Sequence, residues 1–404
     1  MAVVNLERTP RNRYELIFSN GFRPMFTLVA LQALLVLGGW LAFWNGWLSA
    51  PGSLGTPLLW HGHEMLFGFV GAAIGGFLLA AVANWTGRRP VNGAALVVLA
   101  GCWLLARAVA WFGADWPPLL NGLLASLYWV VLAVLFGREL IAAGNRRNLK
   151  VLGLLGLLAL FSLAFHLQWL PPLQVLHLVI VLVVMLLTLI GGRITPAFTR
   201  NWLSRQSPAP SRLPAPFGRW DLAAALSTAV SGLAWVFWPQ WGGAALLLTL
   251  AGCLQLGRVL RWCGWQTRAE PLLWVLHLGY GWIGVGLLLL AGGSAGLWSA
   301  SAGLHALTIG AMGGMIMAVA SRAALGHTGR ALVSTPLLTL AFICLHLAAL
   351  VRVVAALWPA LMLPLITLSG LLWLLAFVLF SWRYLPILLG PAVSFSERLK
   401  AGQG

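Results

Sequence analysis

Three donor side chains crowd into four positions at Trp60-His-Gly-His-Glu-Met-Leu-Phe-Gly68, where His61, His63 and Glu64 stand in an otherwise apolar segment. Imidazole and carboxylate are metal-binding groups, and imidazole suits both iron and copper. His166, His177, His305 and His346 lie in further apolar stretches. Together with His61 and His63 they are the expected metal ligands. His305 and His346 are the first choices for iron, with His61, His63 and His177 competing for iron or copper. Glu64 is the only candidate for a catalytic carboxylate. Two arginines also fall inside apolar segments, Arg107 and Arg352. An ionisable group costs about 2.5–3.5 kcal/mol at a bilayer centre on insertion scales, so it faces an interior partner. A guanidinium wants a carboxylate, and a b-type heme brings two propionates. His346 and Arg352 are six positions apart, about 9 Å along a helix, near the reach from a heme iron to its propionate edge. Arg107 and Arg352 are therefore expected to hold heme propionates beside His305 and His346. The plainer alternative is an ion pair with Glu64, which serves one arginine but not easily both. A membrane histidine can also simply hydrogen-bond across helices, a reading that weighs most for His166 and His277. Met312, Met315 and Met317 are soft enough for copper, but methionine at helical spacing is more often packing.

The elements that must position these groups are membrane helices. Of 404 residues 60% are hydrophobic and 8% charged, with a mean hydropathy of +0.90, against roughly a quarter charged in soluble proteins. Apolar spans are expected at about 24–47, 60–84, 93–112, 119–142, 150–169, 173–195, 220–238, 242–262, 271–291, 299–321, 335–356 and 360–382, each near the roughly twenty residues that cross a bilayer. The fold class is thus an all-α polytopic bundle of about twelve helices, one domain over 1–404. Alternate loops collect the basic residues: Arg88 and Arg89; Arg146, Arg147 and Lys150; Arg200, Arg205, Arg212 and Arg219; Arg268; Arg330. By the positive-inside rule these loops and both basic termini are cytoplasmic. The net charge of +17 therefore reflects topology and not a nucleic-acid partner. No cleavage motif follows the polar start, so no signal peptide is expected. Loop 201–219 is rich in proline and serine and reads as a solvated linker. Cys102, Cys253, Cys263 and Cys344 form no CxxC pair, which argues against covalent heme and structural zinc. Gly75-Gly76, Gly191-Gly192 and Gly313-Gly314 recur every fourth helix. Either three pseudo-repeats of four helices or chance accounts for them, since glycine marks close helix contact generally. Gly68, Gly71, Gly75, Gly310, Gly313 and Gly314 leave room for a neighbouring helix or a flat macrocycle.

Long motifs then point to a family. Phe22-Arg-Pro-Met-Phe26, the Trp60–Gly68 segment, and His305 leading through Gly310-Ala-Met-Gly-Gly314 to Ser321-Arg322 and Leu325-Gly-His-Thr-Gly-Arg330 resemble the NnrS family over nearly the whole chain. Pro24-Met25-Phe26 stands where Pro-Phe-Phe is expected, a mild departure. The resemblance implies a bacterial inner-membrane protein of twelve helices with heme b and copper. It implies an association with nitric oxide, denitrification and nitrosative stress, and an electron donor of unknown identity if the protein is an oxidoreductase. It assigns no ligand residue by residue. Non-catalytic nitric oxide sensing and copper transport stay open as alternatives. Heme-copper oxidase subunit I offers an analogy in helix number, but its adjacent histidine pair does not occur here, and analogy of fold does not establish a reaction.

Overall fold

The computed structural model describes residues 10–207 and 212–393. Among these, all regular structure is helical, and twelve helices are long and apolar enough to cross a membrane. They are α1 Phe22–Trp44, α2 Pro57–Thr86, α3 Ala94–Asp115, α4 Pro118–Ala142, α5 Arg146–Leu167, α6 Pro172–Leu203, α7 Arg219–Phe237, α8 Gly242–Leu260, α9 Pro271–Ser294, α10 Ser301–His327, α11 Pro336–Leu357 and α12 Pro359–Leu389. Every expected span has its helix. Several overrun their apolar segment, most clearly α6, which carries Arg193 and Arg200 on exposed positions beyond its apolar body. Prolines set many starts, since proline costs no hydrogen bond in a first turn. Thr56 before Pro57, Glu270 before Pro271 and Thr335 before Pro336 cap those turns by accepting from Leu59, Leu272 and Leu338 N–H.

α2 and α10 form the centre: 89% and 72% of their apolar windows are buried, against about half for most others. α2, α6 and α10, which carry Gly75-Gly76, Gly191-Gly192 and Gly313-Gly314, all pack on one another. The glycines serve close helix contact. A side chain at Gly75 would strike Tyr128, one at Gly192 would strike Arg258, and one at Gly314 would strike His346. The spaces suggested for a macrocycle at Gly68, Gly71, Gly75, Gly310, Gly313 and Gly314 are filled by protein side chains.

Two features depart from the sequence reading. Both central helices contain a π-helical stretch, Glu64–Val70 in α2 and Ala306–Gly313 in α10. The linker is also less free than its composition suggests. Arg200 donates to the Pro214 carbonyl, Ala215 N–H to Arg261 O at 3.0 Å and Gln266 to Arg212 O at 2.7 Å. Its residues 208–211 and the basic termini, 1–9 and 394–404, lie outside the described residues.

The bundle has an arginine-rich end and a histidine end. At the former, Arg258 donates to Asp221 at 2.6 Å and to Tyr280 Oη at 2.5 Å, and Tyr280 donates to Gln255, closing a buried network. Asp221, Gln255, Arg258 and Tyr280 are all bonded, as a desolvated polar network requires.

Candidate metal centre at the histidine end

His63 ends the α-helical start of α2 and Glu64 opens its π-helical stretch. An α-helical period would put Glu64 on the face of His61, three positions back. The Glu64 carboxylate meets its neighbour instead, and His63 Nδ1 lies 3.0 Å from Glu64 Oε1, with both residues fully buried. Arg107 from α3 approaches Glu64 Oε2 at 3.1 Å, and Gln32 from α1 donates to the same oxygen at 3.1 Å. Arg107 also stacks over Trp103, 5.2 Å from the ring centroid. Gly68 admits this group: a side chain there would fall 2.4 Å from Gln32 Nε2 and 2.7 Å from Arg107 Nη1. Winding i→i+5 leaves carbonyls without helical partners, and Trp103 Nε1–H and Tyr128 O–H donate to the Gly68 and Gly71 carbonyls. The ion-pair alternative is therefore what Arg107 adopts. A carboxylate oxygen that faces an imidazole nitrogen accepts from it, which puts the His63 proton on Nδ1 and leaves a lone pair on Nε2. That Nε2 is buried without a partner, and so is Nε2 of His166 at the end of α5. The two rings stand 5.4 Å apart between centroids, edge to face, with Phe67 and Phe165 against His63.

α10 repeats the device with one part missing. His305 precedes the π-helical stretch, and its Nδ1 lies 2.8 Å from the Ser301 carbonyl. A carbonyl only accepts, so the proton is on Nδ1 and Nε2 holds the lone pair. The helix that follows again supplies an arginine. Arg352 of α11 donates to Ser301 Oγ at 3.2 Å. Unlike Arg107, it has no carboxylate within ion-pair distance among the described residues. His61 belongs to this second group and not to that of Glu64: it lies within electrostatic reach of His305 and Arg352. Its ring stacks on Trp40 at 4.5 Å, and its Nδ1 is buried without a partner.

The remaining candidates stand apart. His346 accepts the Trp282 indole N–H on Nδ1 at 3.1 Å. An indole only donates, so neutral His346 has its proton on Nε2, and neither nitrogen offers a free lone pair. The six-residue spacing to Arg352 thus does not translate into an iron ligand in this arrangement. His177 rests on Trp235 at 4.6 Å between ring centroids. His277 bonds Thr199 Oγ1 at 2.8 Å, the cross-helix role anticipated for it. Met312 and Met315 line an apolar crevice of about 70 Å³ with Phe26, Ile74 and Ile190, which is packing. The histidines therefore do not converge on one point, and no group of three or more His, Cys, Asp or Glu among the described residues is placed to hold a metal ion. Sequence reasoning missed Gln32, Trp103, Trp282 and Ser301. Trp103, four positions before Arg107, and Ser301, four before His305, left a signal in their helical spacing; Gln32 and Trp282 left none.

The family model described as NnrS protein matches residues 16–392, nearly the whole chain. No curated protein matches it.

Proposed function

Because the chain belongs to the NnrS family, we propose that it is a heme- and copper-dependent membrane protein that binds and turns over nitric oxide. The single observation that carries the heme is the open charge at α11: Arg352 donates to Ser301, whose hydroxyl also meets His305 Nδ1, and lacks the carboxylate that Arg107 has. The donor set fits the group. His305, with Nδ1 fixed on a carbonyl and Nε2 free, has the tautomer of a metal-ligating histidine. Arg352 would take a propionate, Ser301 would orient Arg352, and His61, with an unpartnered Nδ1, would stand as a second donor beside it. His346 drops out of the iron ligands in this proposal, and Arg107 drops out of the propionate partners. When bound, ferrous heme with an open position supplies a binding site for nitric oxide and an electron to share with it. Glu64, engaged by His63, Arg107 and Gln32, acts as a positioning carboxylate and not as the catalytic acid.

The setting is the bacterial inner membrane with the arginine-rich end in the cytoplasm, so the histidine end faces outward. Reporter fusions at 113–116 and 146–148 are expected to report opposite sides. The function is tested on purified protein by reduced-minus-oxidised spectra, nitric oxide difference spectra, and anaerobic nitric oxide consumption with a reductant. Wild type is expected to contain heme that shifts with nitric oxide and to consume it over many turnovers, and His305→Ala to lose the heme. Binding without turnover would mark a sensor. A heme-free wild type would overturn the reading and favour metal transport.

A further inference from the structure

We propose that His63 and His166 bind one Cu(I) ion through their Nε2 atoms, at a site separate from the His305 group. The inference deepens the reading that copper belongs to this protein and rests on it. Two buried Nε2 atoms lack any hydrogen-bond partner, and buried polar groups in folded proteins are almost always paired. Their rings are 5.4 Å apart between centroids. A linear pair of metal–imidazole bonds of about 2 Å each puts ring centroids about 6 Å apart, close to the separation found. The direct alternative, an imidazole–imidazole hydrogen bond, is not made.

The surroundings select the ion. Only two unpartnered donors are available in this pair of neighbouring rings, since Glu64 is committed to His63 Nδ1, Arg107 and Gln32. Two-coordinate linear binding suits the d¹⁰ monocation Cu(I), whereas Zn(II) takes four ligands and Cu(II) prefers tetragonal nitrogen and oxygen sites. Phe67 and Phe165 against His63 keep water from adding as a third ligand. Burial also favours a single charge over a double one. Glu64 fixes the tautomer, as carboxylates do behind metal-ligating histidines, a role whose loss typically weakens metal affinity roughly 10–100-fold. Arg107 neutralises Glu64, which keeps the carboxylate from being the ion's direct ligand.

The test uses the full-length purified protein loaded anaerobically with Cu(I) and washed against a Cu(I) chelator. Bound copper is counted by elemental analysis and its coordination read from the X-ray absorption edge. Wild type is expected to retain one copper with a two-coordinate Cu(I) edge. His63→Ala and His166→Ala are each expected to lose it while keeping heme, and Glu64→Gln to release copper at roughly 10–100-fold lower chelator concentration. Retained heme in the alanine variants shows that they fold. His305→Ala, with heme lost and copper kept, separates the two sites. Copper kept at full occupancy in both alanine variants, a four-coordinate edge, or no copper retained by wild type would each overturn the site. A heme-free wild type that still binds Cu(I) at His63 and His166 would leave this site standing and sink the heme reading instead.

Discussion

The α2–α3 group and the α10–α11 group are built alike and charged differently. Each places a histidine at the junction of α-helical and π-helical winding, fixes its Nδ1 proton on an oxygen, and brings an arginine from the next helix. In the first group Glu64 closes the charge. In the second, Ser301 stands where a carboxylate would, and Arg352 keeps its charge uncompensated by the described residues. The closed group has its charges paired within the protein, and leaves two imidazole nitrogens and Arg107 Nη1 without a partner. The open group is incomplete until an anion arrives. A single local device thus leaves a paired arginine in one group and an uncompensated one in the other, according to one counter-ion.

The sharpest way to break this comparison is to remove the partners one at a time. Glu64→Leu strands Arg107 in the bundle, and breaking a buried ion pair costs about 3–5 kcal/mol. Arg352→Leu in heme-free protein removes a charge that has no such pair and loses one hydrogen bond, about 1 kcal/mol. Chemical unfolding of both variants in detergent measures the gap. Equal losses would show that Arg352 is as fully paired as Arg107, and the two groups would no longer differ.

A smaller effect sharpens the role of the π-helical stretch. Gly68→Ala puts a methyl group 2.4 Å from Gln32 Nε2 and 2.7 Å from Arg107 Nη1, so both side chains must move off Glu64. Overpacking of this kind costs about 1–3 kcal/mol, and the variant is expected to hold copper less tightly through a loosened Glu64. Gly101→Ala, on a helix position with nothing within 4 Å, is the matched control and is expected to leave both stability and copper unchanged. A Gly68 variant as stable and as copper-tight as that control would mean that Arg107 and Gln32 do not hold Glu64 in place.

Much of this was legible in the sequence, but unevenly. Twelve helices follow from apolar length, and Arg107 and Arg352 stood out because a charge in an apolar helix demands a partner. That Glu64 could satisfy only one of them was also legible from the count of carboxylates. The assignment of Glu64 to His63 was not, because helical spacing puts Glu64 on the face of His61, while the Arg107 and Gln32 side chains that hold its carboxylate come from other helices. His346 is a different case. Its depth and its spacing from Arg352 suited an iron ligand, while its tautomer is set by Trp282, sixty-four positions away in sequence, and no spacing rule reaches that far.

Trp282 therefore offers the finest test. Its indole N–H commits His346 Nδ1, and its ring lies against Gly310, where a side chain would fall 2.4 Å from Trp282 Cγ. Trp282→Phe keeps most of the ring and removes only the donor. The loss of one buried hydrogen bond is expected to cost about 1 kcal/mol, read as a shift in the unfolding midpoint. It also frees a lone pair on His346. If iron is held at His305, the substitution leaves heme content and the reduced-minus-oxidised spectrum as they are in wild type, and His346→Ala does the same. If His346 is an iron ligand after all, freeing its nitrogen raises heme retention while His346→Ala abolishes it. That pair of outcomes would return iron to the middle of α11 and make the open charge at Arg352 the propionate end of a site spanning six residues of one helix.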